Sequence, residues 1–438
     1  MAGASLTEMN GTRNRATWII ASVISVALLR VHPAHGDNGP ANLPTPIEPR
    51  RYELAGFPII GGNTDIGVQF GGAATWTHFY DQASPYDWNI DLLVSASMKD
   101  VDGLQLVQQS HLIRLDAPDL LGGRARLDTR ANFQRTINAG YYGLGNASDA
   151  TTPPAGGSPE CGGRAFQYLQ EEGRVRSIGR LHTNIPGFDV AASVNLRIES
   201  PQTYCGSKLQ QDTATTRGGT AATVGTQTAL LGGLTVGVMI DTRDSEFITR
   251  SGIFYQLGLS ATIGSAERVA YTEVSAVLAH YASLGGPFLF ASRFVTSFQV
   301  GRLPFYDLQQ GGTFEPQYLL GGETGVRGVP QGRYAGPVKM LSNLEIRSTP
   351  FPRFMLLGER FLVGTTTFFD AGRVWDQYSA TSSVDGSTLG LKFGIGGGLF
   401  LQWGEAAIFR VEAAYSPDAV AENPKLPIGL YVSDGVMF

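Results

Sequence analysis

Charge is scarce in this sequence: Asp, Glu, Lys and Arg make up 16% of 438 residues, with a net charge of −5. No basic cluster stands out, so nucleic acid is not a partner that the composition supports. Long apolar stretches are scarcer still. A helical membrane protein needs several runs of roughly 20 apolar residues, and here there is one, Ala16 to Val31. A Gly-x-Ser-x-Gly elbow of the kind a fused hydrolase carries is also missing. His78, His111, His182 and His280 are scattered without metal-ligand spacing. On these grounds no enzyme activity, cofactor or metal is expected. Cysteine is limited to Cys161 and Cys205.

The single apolar run follows Arg13 and Arg15 and precedes Ala34-His35-Gly36, a small-x-small cleavage site. This three-part layout predicts a secretory signal peptide over residues 1–36, cut before Asp37. An N-terminal membrane anchor is the competing reading, although the run is short for a span. Residues 37–63 then carry Pro40, Pro44, Pro46, Pro49 and Pro58. Proline at this density favours extended backbone, so the stretch reads as a periplasmic lead-in, without room for an independent domain.

From Thr64 to Phe438 the pattern alternates at period 2. Val338, Met340, Leu344 and Ile346 share one face, opposite Lys339, Asn343, Glu345 and Arg347. Phe288, Phe290, Phe294 and Phe298 share another, opposite Arg293, Ser297 and Gln299. Alternation gives each strand one apolar and one polar face. The strands read as long, and their polar faces carry charges mid-strand, as a wet lumen requires. Trp76, Phe79, Tyr80, Trp88, Tyr281, Phe305, Tyr306, Trp375 and Trp403 fall near strand ends and suit interfacial girdles.

The expected fold is therefore all-β: a transmembrane antiparallel barrel of about 16 strands. The first strands are placed near 64–78, 86–99, 104–116, 123–138, 140–147, 164–182, 187–202 and 228–243. The others fall near 251–264, 267–283, 286–302, 336–350, 353–372, 388–403, 405–417 and 428–438. With the N-terminus in the periplasm, the longer connections 148–163, 203–227, 303–335 and 373–387 become extracellular. Short turns then face inward to the periplasm, the asymmetry outer-membrane barrels show. Cys161 and Cys205 fall in neighbouring extracellular loops, where a disulfide is preferred over two free thiols. At the C-terminus Leu430, Val432, Val436 and Phe438 share a face and end on an aromatic, like a barrel-assembly signal.

Between two of these strands lies GGETGVRGVPQGRYAG, Gly321 to Gly336. Its glycines suggest a tightly folded loop, and an arginine held there can fork onto a carboxylate of the wall.

Four stretches together resemble the BamA/TamA superfamily of outer-membrane proteins, the bacterial surface antigen family: MIDTRDSEFITRSG (Met239 to Gly252), Val326-Arg327-Gly328, NLEIRSTPF (Asn343 to Phe351) and FFDAGRVW (Phe368 to Trp375). One departure is plain: Val329 stands where the family has an aromatic, with Tyr334 the nearest substitute. The resemblance implies a loop folded into the lumen, its Arg327 paired with Glu345 and Asp370. A competing arrangement pairs Glu345 with Arg347 or Lys339 in open water.

The resemblance also implies residence in the outer membrane, contact with its lipid, and a role in protein insertion or polypeptide or lipid transport. Unfolded outer-membrane or secreted proteins would be its clients. Lacking a receiving POTRA domain, such a barrel would rely on a separate periplasmic partner. A passive, porin-like channel or a structural surface protein is the alternative.

Overall fold

Sixteen long strands form one closed antiparallel cylinder, each hydrogen-bonded to its sequence neighbours. They are β1 (Arg51–Asn63), β2 (Gly67–Phe79), β3 (Trp88–Asp100), β4 (Leu104–Leu120), β5 (Ala125–Gly140), β6 (Gln167–His182), β7 (Phe188–Thr203) and β8 (Ala229–Asp241). They continue with β9 (Gly252–Gly264), β10 (Ala270–Gly285), β11 (Phe288–Arg302), β12 (Val338–Ser348), β13 (Glu359–Trp375), β14 (Lys392–Trp403), β15 (Ala407–Tyr415) and β16 (Ile428–Asp434). This computed structural model describes residues 50–438 apart from 81–85, 102, 151–163, 218–219, 222, 247, 357–358, 379–382, 404–406, 422–426 and 435–437. The expected signal peptide, the lead-in up to Pro49, Cys161 and Val436 lie outside the described residues.

Alternation sets which way each wall faces. On β12, Leu344 and Ile346 point outward and are exposed, while Lys339, Asn343, Glu345 and Arg347 are buried in the bore. On β11, Phe288, Phe294 and Phe298 face out, against Arg293, Ser297 and Gln299 within. Exposed Leu, Val, Ile and Phe continue around the cylinder, the apolar outer band a lipid-spanning barrel needs.

The strand count agrees with the sequence reading, but two positions differ. The expected lead-in contains β1, and the barrel starts at Arg51 instead of Thr64. Pro58 and the glycines around it disguise this strand. A proline lacks the N–H that a ladder needs, so it is tolerated chiefly on a strand paired firmly on one side. That is its situation here: β1 lies opposite β2 along its whole length, Arg51 to Asn63. The expected strand at 140–147 is not one; Gly143 and Gly145 take positive φ (100° and 85°), which interrupts extended backbone.

Three of the aromatics assigned to interfacial girdles lie inside. Phe305 and Tyr306 are fully buried against Tyr141, Tyr168 and Leu209, and Tyr281 faces the bore beside Phe438. They anchor the inserted loop and the chain end, because those segments offer apolar surface within the cylinder. Trp76 and Trp88 do pack together near strand ends, edge to face.

The long connections leave one end of the barrel, which also carries the short turns 64–66 and 265–269; the other end carries shorter connections. The β11–β12 connection, residues 303–337, folds back into the bore. Phe314, Leu319, Leu320, Val326, Val329 and Tyr334 are buried there. Polar contacts tie this loop around the wall: Arg197 holds Asp307, Gly312 N donates to Glu273, Thr313 N to Ser275, and Gln331 N to Asp65.

Candidate functional site

Arg327 sits in the bore with no exposed surface. Its Nε and Nη2 fork onto Asp370 of β13, at 2.8 Å to Oδ2 and 3.0 Å to Oδ1. Its Nη1 donates to Glu345 Oε1 of β12 at 2.8 Å and to both oxygens of Glu412 of β15 at 3.2 Å. The guanidinium lies over the ring of Phe368, 3.4 Å from its centroid. Burial by itself disfavours the charge, yet Asp370, Glu345 and Glu412 hold the Arg327 pKa above the ordinary arginine value. Arginine is the residue for such a position because its planar fork matches two carboxylate oxygens at once.

The loop backbone is fixed as firmly as the side chain. Arg327 N donates to Asp370 Oδ2 at 3.1 Å, and Gly328 N donates to the Tyr431 hydroxyl at 2.8 Å. Gly328 has φ 92°, a conformation that a side chain disfavours. Val326 and Val329 pack with Val295, Leu319, Leu320, Tyr334, Leu341 and Val374. The small Val329 and the ring of Tyr334 thus share one apolar cluster, and the Tyr334 hydroxyl donates to Asp418 at 2.6 Å. Gly394 of β14 lets the loop lie against the wall, since a Cβ there would overlap the carbonyl oxygen of Arg327.

Second-layer groups complete the pairing. Asn343 Nδ2 donates to Asp370 Oδ1 at 2.8 Å and to Gly325 O at 3.1 Å. Arg293 Nε donates to Asn343 Oδ1 at 3.0 Å. Arg347 Nε donates to Glu345 Oε2 at 2.7 Å, and Arg410 Nη1 to Glu412 Oε2 at 3.3 Å. Glu345 therefore serves Arg327 and Arg347 together, in the dry interior and not in open water. Lys339 takes a different partner, Gln299, at 2.6 Å.

Val326, Arg327, Gly328, Glu345 and Asp370, singled out from the sequence, are thus brought to one place. Glu412, Tyr431 and Gly394 were not foreseen. Alternation on β15 carried the signal for Glu412, since Arg410, Glu412 and Ala414 all face inward. Cys205 is disulfide-bonded. At the C-terminus Leu430 and Val432 are exposed on the outer wall as expected. Phe438 parts from them: the final ring lies inside, between Arg293 and Arg347. Its distance from each guanidinium is that of a cation–π contact.

The Asp-x-Arg-Asp segment forms the β8–β9 turn. Arg243 forks onto Asp241 at 2.9 and 2.7 Å, while Asp244 accepts from the backbone of Arg250 and Ser251. A loop arginine, its wall carboxylates and this turn occur in order along one barrel. The model of the Omp85 superfamily domain matches residues 118–422. The chain belongs to the Omp85 superfamily. It is an outer-membrane β-barrel of BamA-like fold.

Solved structures agree in fold. BamA from Haemophilus ducreyi lacking POTRA domains 1–3 superposes with a TM-score of 0.56 at 12% identity, over 88% of this chain and 70% of that one. CdiB from Escherichia coli gives 0.52 at 13%, over 90% of this chain and 63% of its own. CdiB from Acinetobacter baumannii gives 0.50 at 14%, over 89% and 60%. No curated protein matches.

Proposed function

We propose that this Omp85 barrel assists insertion of protein into the outer membrane, or passage of polypeptide or lipid, through the seam between β1 and β16. Residues 1–36 would direct its export, and a periplasmic partner would deliver clients to it. The observation that carries the reading is how few pairs hold that seam among the described residues. Register pairs there are Gly62 with Val432 and Asn63 with Tyr431, continued by Thr64 N donating to Leu430 O at 3.1 Å, whereas β15 and β16 are paired from Phe409–Asp434 to Tyr415–Ile428. A short ladder opens at low cost because each backbone pair contributes modestly.

A cavity of about 310 Å³ leads to the seam. Gln69, Gln108 and Gln134 line it on the lumen side, and Ile60, Phe409 and Val432 at the wall. Such a passage offers polar groups to a client's backbone and an apolar exit toward lipid. The buried loop argues against a freely conducting pore, the alternative a passive channel would need.

Reconstituted into liposomes, the protein should accelerate insertion of an unfolded outer-membrane protein. Ile60 and Val432 both face outward, so a short thiol cross-linker between Ile60→Cys and Val432→Cys should suppress the acceleration. If the uncross-linked barrel gives no acceleration, the reading is wrong.

A further inference from the structure

Below the inserted loop, at the end opposite the long connections, the bore holds a second cavity of about 490 Å³. Arginines from β4, β5, β6, β11 and the β8–β9 turn line it, with Phe438 at its edge. Three of them, Arg114, Arg130 and Arg176, stand directly opposite one another across β4, β5 and β6. Neighbouring strands are about 4.8 Å apart, and like charges set opposite each other are destabilising. Such a row persists only if carboxylates or another anion compensate it.

Carboxylates compensate two of the three. The adjacent row holds Asp116 opposite Asp128. Arg114 Nε donates to Asp128 Oδ2 at 2.7 Å and Arg130 Nε to Asp128 Oδ1 at 2.9 Å. Asp116 is occupied by Arg126, at 2.9 and 2.8 Å. Glu315, from the loop above, meets Arg130 at 3.0 Å.

On β6 the acidic row ends, because the residue opposite Asp128 is Ile178. Arg176 is left with Arg130 and Asn195 as cross-strand neighbours. Its Nε and Nη1 are buried without a hydrogen-bond partner among the described residues. A guanidinium with two nitrogens buried and unbonded is costly, and this one borders a cavity large enough for a ligand.

We propose that this cavity is an oxyanion site, in which a phosphate group binds against Arg176 with Arg130 and Arg114 beside it. Phosphate suits the site because its tetrahedral oxygens can accept from both unpartnered nitrogens of Arg176, while Arg114 and Arg130, already held by Asp128 through Nε and Nη2, add positive charge beside it. The phosphate comes either free from the periplasm or on a lipid head group.

Calorimetric titration of the purified full chain in detergent tests this, with inorganic phosphate, dihexanoyl phosphatidic acid and dihexanoylglycerol as probes. Arg176→Gln should weaken phosphate binding about tenfold, the size of one charge-assisted hydrogen bond, and Arg176→Lys should restore most of it. Retained heat-modifiable mobility on gels would show that both variants are folded. Equal binding of inorganic phosphate and phosphatidic acid identifies the free oxyanion as ligand; much tighter binding of phosphatidic acid alone identifies a head group. Binding that Arg176→Gln leaves unchanged, or binding of dihexanoylglycerol as tight as that of its phosphate, would overturn the proposal. So would no binding at all. None of these readouts depends on client insertion.

Discussion

Glu345 and Glu412 accept hydrogen bonds from the same nitrogen, Nη1 of Arg327, although β13 and β14 stand between their strands in the wall. One loop side chain therefore ties three strands within a run of four, with Asp370 contributed by one of the two between. Removing it takes a cation from three buried carboxylates at once and leaves Asp370, among the described residues, with no charged hydrogen-bond partner, only Asn343 and the backbone. Arg327→Ala should cost at least about 3–5 kcal/mol, the penalty for breaking a buried ion pair. The check is the urea midpoint of the folded barrel, together with cleavage of the 303–337 loop by proteinase K. Unchanged stability and unchanged cleavage would mean that Arg327 is no lock.

The three acids are not equivalent. Asp370 receives the fork, the Arg327 backbone N–H and Asn343, whereas Glu412 shares one nitrogen at longer distance and is also met by Arg410. Asp370→Asn should therefore destabilise by roughly 3 kcal/mol or more, and Glu412→Gln by about 1–2 kcal/mol. The reverse order in parallel unfolding curves would show that the shared nitrogen matters more than the fork.

Gly394 has no alternative side chain, for reasons of space. An added methyl would overlap backbone, the Arg327 carbonyl, which cannot swing aside as a side-chain tip would. Gly394→Ala should cost on the order of 1–3 kcal/mol or more through overpacking and should expose the loop to protease. A protected loop in this variant would refute the close approach.

Tyr431→Phe tests the neighbouring contact with little change of shape. It removes the acceptor of Gly328 N–H and leaves that donor buried, a loss of about 1–3 kcal/mol. Tyr431 also stands opposite Asn63 at the seam. Because the ring remains, cross-linking between Ile60→Cys and Val432→Cys should proceed as before while stability falls.

Period-2 alternation made most of the cylinder legible, and it placed Glu345 on an inward face correctly, whereas Asp370 was reached through the family resemblance. What it could not convey is which inward residues meet across the bore. Glu412 alternates as clearly as Glu345, but only the curvature of the closed wall and the path of the loop bring it to Arg327. β1 escaped notice because Pro58 and its glycines weigh against a strand locally, while pairing with β2 decides the matter. Phe438 misled in the opposite direction: its spacing fits the outer face of β16, yet Arg293 and Arg347 offer the ring a place within.

The distance along the chain between Arg327 and Glu412, 85 residues, sets an order of events. While β15 is unpaired, the guanidinium has no third anion and the bore is still open to water. Loop docking therefore finishes late in biogenesis, after nearly the whole wall has assembled. A kinetic probe placed on the loop should report its burial as one of the slowest phases.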